Sequence, residues 1–378
     1  MSSPTNQQKN MKTNRIIKNL AALALLSTLN SQLSTAFAQG SLTPPGAPAP
    51  TMKSADQIEP RTIVNAVNTP GNADSLFVIS QPGSYYLTTN LVGVSGKSGI
   101  SITANDVTLD LNGFALLGVS VEYDETCGIV IPGARTNITV RNGAISGWGN
   151  NGVATFYVFN QLSLFPVNIV FEHLNVSACS EDGIFIINGV VRDCNCYNNG
   201  DEEGGGIYCD GYGIISGCTA NNNVQDGIVI NSGTVSGCSV QNNEEGITCY
   251  GPCNISGCVV ANNYRRGIYV NWWGAGSEVI GNTCVGNNTA NSTSDAGILL
   301  ASANIRVEDN HVSASGYAGI RVDNGNSYYT NNIIIKNSVS GNGANNYVLP
   351  GAQIVGPIIT NTVSGIITNS NPWANFSF

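Results

Sequence analysis

Gly227-Ile-Val-Ile-Asn-Ser-Gly-Thr-Val-Ser-Gly-Cys-Ser-Val-Gln-Asn-Asn-Glu-Glu245 is one copy of a unit that the chain repeats. Its Gly-Ile pair recurs as Gly183-Ile184, Gly206-Ile207, Gly246-Ile247, Gly267-Ile268, Gly297-Ile298 and Gly319-Ile320. The steps between successive glycines are 23, 21, 19, 21, 30 and 22 residues. A second run follows each pair: Val191-Arg-Asp-Cys, Ile215-Ser-Gly-Cys, Val235-Ser-Gly-Cys, Ile255-Ser-Gly-Cys and Val279-Ile-Gly-Asn. An Asn pair closes the unit at 198–199, 222–223, 242–243, 262–263 and 287–288. A period near 20 residues with two short β-rich runs predicts a solenoid of stacked coils. Leucine-rich repeats share this length, but their Leu pattern is absent; helical repeats would not tolerate so much Gly and Asn. In a parallel β-helix each coil lies about 4.8 Å above the last, and alternate residues of a strand point inward. The inward ladder is then Ile184, Ile207, Ile228, Ile247, Ile268, Ile298 and Ile320. Two residues on, a second ladder reads Ile186, Cys209, Ile230, Cys249, Val270, Leu300 and Val322. Both are apolar throughout, and the residue between them faces out.

Working outward, Ile100-Ser-Ile-Thr, Val107-Thr-Leu-Asp-Leu-Asn-Gly-Phe, Gly128-Ile-Val-Ile and Ile138-Thr-Val-Arg carry the same alternation less regularly. Ser146 to Phe171 reads as an apolar, aromatic loop over one face. The predicted organisation is a signal peptide over 1–38, a Pro/Ala-rich linker over 39–60 and an N-terminal cap over 61–84. The β-helix follows over 85–350, with a C-terminal coil and cap over 351–378. Caps are expected because an open β-helix end exposes unpaired strand edges.

The export signal rests on three features. Lys12, Arg15 and Lys18 precede the apolar run Leu20 to Leu29, and Ala36-Phe37-Ala38 offers a small-residue cleavage site. The apolar run is too short to span a bilayer. No later stretch is long enough either, so no membrane span is expected after cleavage. The predicted location is secreted, periplasmic or at the cell surface of a bacterium. The chain has 15 basic and 24 acidic residues, and four of the basic ones lie in the first 18 positions. Removing residues 1–38 gives 11 − 24 = −13. So acidic a protein repels phosphate, which argues against nucleic acid as a partner. The 42% hydrophobic content excludes a disordered chain, and a monomer is expected.

Val107-Thr-Leu-Asp-Leu-Asn-Gly113 and the Gly-Ile and Asn ladders resemble bacterial right-handed parallel β-helix repeat proteins of the pectin-lyase-like superfamily. The resemblance spans about residues 80 to 350 and implies an all-β, single-stranded, right-handed parallel β-helix with about 20–24 residues per coil. It implies polysaccharide as the substrate class. The motifs of its enzymatic branches are absent, namely Asn-Thr-Asp, Gly-His-Gly and Arg-Ile-Lys of polygalacturonases and Asp-Pro-His of alginate epimerases. The resemblance is therefore to the uncharacterised secreted branch.

Cys194, Cys218, Cys238 and Cys258 fall at one inward position, where thiols pack as small hydrophobes rather than gather around a metal. Cys249 and Cys253, bracketing Tyr250-Gly251-Pro252, are the pair best placed for a disulfide. The Asn ladder has a structural role available to it, since Asn tolerates left-handed turns and its amides stack coil on coil.

The functional expectation rests on the turn before each Gly-Ile pair. It carries Asp182, then Glu203 in an enlarged turn, Asp226 and Glu245, and then Arg265-Arg266. Carboxylates in register repel one another unless a cation compensates. Asp182, Glu203, Asp226 and Glu245 are the candidate ligands of a Ca²⁺ ion. Asp226, Glu245, Arg265 and Arg266 are the candidate catalytic groups. Tyr208, Tyr269, Trp272 and Trp273 supply aromatic faces for sugar rings. One reading is a polysaccharide groove that binds, and on a catalytic reading cleaves as a lyase or hydrolase, an extracellular glycan. The alternative is a non-catalytic surface-structural or adhesion-type β-helix whose acidic turns only keep it soluble.

Overall fold

Each isoleucine of the Gly-Ile pairs has nowhere to go but inward, and the coils stack to bury it. The computed structural model describes residues 59–119, 125–156, 165–201, 204–325, 328–360 and 369–378. The expected signal peptide, most of the linker and Glu203 lie outside the described residues. The unit Pro60–Phe378 is all β, and its strands pair parallel to form a solenoid of about 12 turns. No helix among the described residues is long and apolar enough to cross a membrane.

Three faces recur in each coil. On the first, Ile184 pairs with Ile207, which pairs with Ile228, and the column continues through Ile247, Ile268, Ile298 and Ile320. All seven are essentially inaccessible to solvent. The second face begins with runs such as Cys253–Ser256, and the third with short strands such as Ser239–Gln241. The parallel ladder begins early: Thr62–Ile63 pairs with Tyr85 and Tyr86, so residues 61–84 are themselves laid along the coils. At the other end Asn375–Ser377 pairs with both Ile358–Thr360 and Ser338–Ser340. The stretch expected to loop out between Ser146 and Phe171 is largely another coil. Val153–Phe156 and Val167–Ser177 are strands in full register with their neighbours, because their alternate residues are apolar.

Two sharp corners in each coil share one construction: a residue with positive φ, then a buried residue. Leaving the third face, Asn198, Asn222, Asn242 and Asn262 hold φ near +55°, and Asn199, Asn223, Asn243 and Asn263 turn inward. In the next coil Gly286 takes the left-handed place, so Asn287, the first of its pair, is the ladder member. The buried amides form a continuous chain. Asn199 Nδ2 donates to Asn223 Oδ1 at 3.1 Å, Asn223 to Asn243 at 3.0 Å, Asn243 to Asn263 at 3.1 Å and Asn263 to Asn287 at 2.8 Å. The second proton of each Nδ2 goes to a carbonyl of the preceding coil, as Asn243 does to Ala220 O at 3.0 Å. Buried polar residues that use every donor and acceptor hold a core in one register.

The corner between the second and third faces follows the same rule. Asp193, Gly217, Gly237 and Gly257 take positive φ, and Cys194, Cys218, Cys238 and Cys258 turn in. From the next coil the same place holds Asn282, Asn310, Asn337 and Asn375, joined by amide bonds of 2.9 to 3.1 Å. Cysteine thus occupies the wall position that asparagine occupies further along. Burial pushes the Cys127, Cys179 and Cys209 thiols up to about 12. Cys249 and Cys253 are joined by a disulfide.

Two outcomes test this architecture. Asn243→Ala removes the partner of Asn223 N–H, of one Asn223 Nδ2 proton and of Ala220 O, each costing about 1–3 kcal/mol when left unpaired. It should lower the stability measured by urea unfolding by several times the cost of Asn242→Gly, which keeps the left-handed turn. Thiol titration of the denatured, unreduced protein should count nine free groups, with almost none reacting before denaturation; a count of one or none would overturn the packing role.

Candidate functional site

The strands of the first face carry their outward side chains into a shallow trough along the solenoid. Phe156, Phe185 and Tyr208 stack there, with ring centroids 6.0 and 5.5 Å apart. Below them Val229 and Thr248 are covered, and Tyr269 follows. The acidic turns border this trough on the side where each coil enters the face.

Asp226 and Glu245 are direct register partners. Thr248 lies between them, its Oγ1 2.6 Å from Asp226 Oδ1 and 3.3 Å from Glu245 Oε2. One coil before Asp226 the equivalent position is Gly205, whose N–H donates to Asp182 Oδ1 at 2.8 Å. A Cβ on Gly205 would stand 2.2 Å from Asp226 O, and Gly204 holds φ +87°, so neither position accepts a side chain without strain. The coil between Asp182 and Asp226 therefore presents bare backbone. The result is a cleft of about 360 Å³ lined by Asp182, Gly204, Gly205, Tyr208, Asp226 and Tyr250. A second lobe of about 400 Å³ shares Tyr208 and Tyr250 and extends past Asn231 and Ser232 to Trp273.

The sequence-predicted residues thus divide. Asp182, Asp226, Tyr208 and Trp273 line one continuous groove. Trp272 packs edge-on against Trp273, 5.5 Å between centroids, with more than half its surface exposed. Glu245, Arg265 and Arg266 form a separate ion cluster with Asp295, which is fully buried. Arg266 Nη1 reaches both Glu245 oxygens at 2.9 and 3.2 Å, and its Nε reaches Asp295 Oδ1 at 2.8 Å. Arg265 spans the same two carboxylates at 3.5 and 3.3 Å. Tyr269 stacks on Arg266, 4.2 Å from guanidinium to ring centre. Among the described residues no group of three or more His, Cys, Asp or Glu side chains is placed to hold a metal ion.

Four contributors escape a reading of the repeat. Tyr250 follows the strand that ends at Cys249 and is set by the disulfide loop. Gly204 and Gly205 precede a Gly-Ile pair and look like turn filler. Asp295 sits in the 30-residue step, where the register count is lost. A Gly triplet inside an acidic row was the signal available.

Burial governs the titration of the two cleft carboxyls. Removal from water pushes Asp226 up to about 7, reinforced by Glu245 beside it. Burial also raises Asp182 to about 6, partly offset by the Gly205 N–H. Desolvation raises Glu245 as well, against the pull of Arg266 and Arg265. Two carboxyls held near neutrality in one cleft are a common mark of functional sites.

Residues 98–284 match the family model described as right handed beta helix region. Over this stretch the chain folds as a right-handed parallel β-helix. The A-module of the mannuronan C-5 epimerase AlgE6 from Azotobacter vinelandii is similar in fold, at 16% identity and a TM-score of 0.51. That match covers 78% of this chain and 90% of the module. The Dettilon tailspike protein gives 15% and 0.48, over 81% of this chain and 60% of its own. A periplasmic alginate epimerase gives 13% and 0.44, over 83% and 80%. No curated protein matches the sequence.

The raised carboxyls set a pH dependence. Between the unfolded value near 4 and the folded values of about 6 and 7, the native state holds protons that the unfolded chain has released. This contribution to stability is complete at low pH and is lost as pH rises through the folded values. The melting temperature should fall between pH 5 and 8 from these two groups, and Asp226→Asn should flatten that slope and melt higher than the parent at pH 8. An unchanged slope would place Asp226 in water.

Proposed function

We propose that the protein is exported and binds an extracellular polysaccharide in the groove formed by Asp182, Tyr208, Asp226, Tyr250 and Trp273. The observation that carries this reading is the juxtaposition of aromatic faces with two carboxyls along a trough open at the surface. Aromatic rings stack on the apolar faces of sugars, and carboxylates accept from sugar hydroxyls. The basic, apolar and small-residue succession of the first 38 residues supports export.

The groove further supports hydrolysis of the bound glycan. Asp226, held at about 7, keeps its proton in about half of the molecules at neutral pH, and that form suits donation to a glycosidic oxygen. Asp182 lies two coils away, roughly 10 Å in backbone terms, a spacing that leaves room for a water between carboxyl and sugar. A lyase acting on a uronate would need a cation to neutralise the sugar carboxylate, and both arginines are committed to Glu245 and Asp295.

Incubation with a panel of neutral and charged polysaccharides tests both parts. New reducing ends are expected without unsaturated products. Asp226→Asn should lower the rate at least about a hundredfold while binding persists, and Tyr208→Ala should weaken binding. Retention of no glycan by the parent would leave the adhesion-type structural role, with the acidic turns as solvated surface.

A further inference from the structure

The charge balance of the groove says which glycans it accepts, on the reading that it is a glycan groove at all. The arginines nearest to it are not available to a ligand. Arg265 and Arg266 carry two positive charges and meet Glu245 and Asp295, which carry two negative ones. Arg266 is also covered by the Tyr269 ring. The cluster is therefore neutral and closed on itself. Asp182 and Asp226 are different. Among the described residues neither has a cationic side chain within ion-pair distance; Asp182 receives a backbone N–H from Gly205, and Asp226 receives the Thr248 hydroxyl. Both face the cleft across Gly204 and Gly205, which put no side chain between them.

The other walls of the cleft are the rings of Tyr208 and Tyr250, the acidic Glu181, the neutral Gln225 and the apolar Ile207 and Val229. Tyrosine faces attract cations through the ring quadrupole, most strongly where water is excluded. A cleft that pairs two carboxyls with two tyrosine rings is complementary to an ammonium group. It is ill suited to a uronate, whose carboxylate would meet uncompensated negative charge. A neutral sugar would satisfy the rings and leave the carboxyls without a cation.

We propose that the groove is selective for a polysaccharide of amino sugars with free, unacylated amines, whose ammonium groups seat in the cleft of Asp182 and Asp226 against Tyr208 and Tyr250. The neighbouring lobe, bounded by Tyr208, Tyr250 and Trp273, then takes the next sugar ring by stacking.

The test is calorimetric titration of the full parent protein with both cleft carboxyls in place, at low temperature to slow turnover and at a pH just above the titration of Asp182. The ligands are oligomers of β-linked glucosamine, the same oligomers fully N-acetylated, an oligouronate, and poly-lysine as a non-sugar source of ammonium groups. Glucosamine oligomers should bind at least about tenfold more tightly than the N-acetylated ones, and the oligouronate should bind least. Asp182→Asn should remove that preference, bringing the free-amine affinity down to that of the N-acetylated oligomers, whereas the exposed Asp309→Asn should leave the preference intact. Unchanged melting temperatures show that each variant is folded. The proposal is overturned if the N-acetylated oligomer or the oligouronate binds as tightly as the free amine. It is equally overturned if poly-lysine binds with the same dependence on Asp182. If the neutral or anionic oligomer binds and loses affinity on Tyr208→Ala, the polysaccharide groove stands and only its selectivity falls. If no oligomer binds, both readings fall together.

Discussion

The buried amide of each coil finds its partners only in the coils on either side. Asn243 donates back to Ala220 O and onward to Asn263, and receives from Asn223. A slip of one residue in any coil would put an amide against hydrocarbon and an isoleucine into water. Register along the solenoid is thereby fixed one coil at a time, by hydrogen bonds that no single coil can make alone. The left-handed residue in front of each ladder member is what aims it inward. That is why Asn, Asp and Gly alternate there without disturbing the stack.

Against this rigid background the groove is a local departure. Regular coils place a side chain immediately before each Gly-Ile pair: Asp182, Asp226, Glu245 and Arg266. The coil of Gly204 and Gly205 leaves that place empty, and the emptiness is the cleft. Three coils further on, at Arg266, the row changes sign, and Glu245 is absorbed into a neutral cluster. The same stack therefore offers closed, compensated charge at one end and open, uncompensated charge at the other. The compensated end stiffens the wall, and the open end is where chemistry is available.

The fold was legible because its signal is periodic. The column Ile184 to Ile320 is visible as soon as the Gly-Ile pairs are aligned, and the pairing follows it coil by coil. The Asn pair showed its importance, but not its division of labour between a turn former and a buried ladder member. Cys249 and Cys253 could be paired from their spacing across Tyr250-Gly251-Pro252. The groove was legible only in part. Asp182 and Asp226 stood out because charge is scarce in this chain. The role of Glu245 was misjudged as equivalent to theirs, because Asp295 lies in the 30-residue step, where counting from the repeat fails. Tyr250 and the glycines were invisible for a related reason: a site made by a missing side chain leaves no chemistry in the sequence to notice.

The thiol column has a consequence for how such a chain matures. Cys218 is 24 residues from Cys194, and Cys238 and Cys258 follow at steps of 20. In the unfolded chain these groups meet by diffusion, whereas Cys249 and Cys253, four residues apart, meet almost at once. In an oxidising compartment coil formation becomes a race in which each new coil must close over its thiol before a wrong partner arrives. A solenoid is suited to that race, since every coil added shelters the one before it and contacts never reach far along the sequence. For an exported chain, the proposed case, a native column of free thiols is a record of folding that outran oxidation.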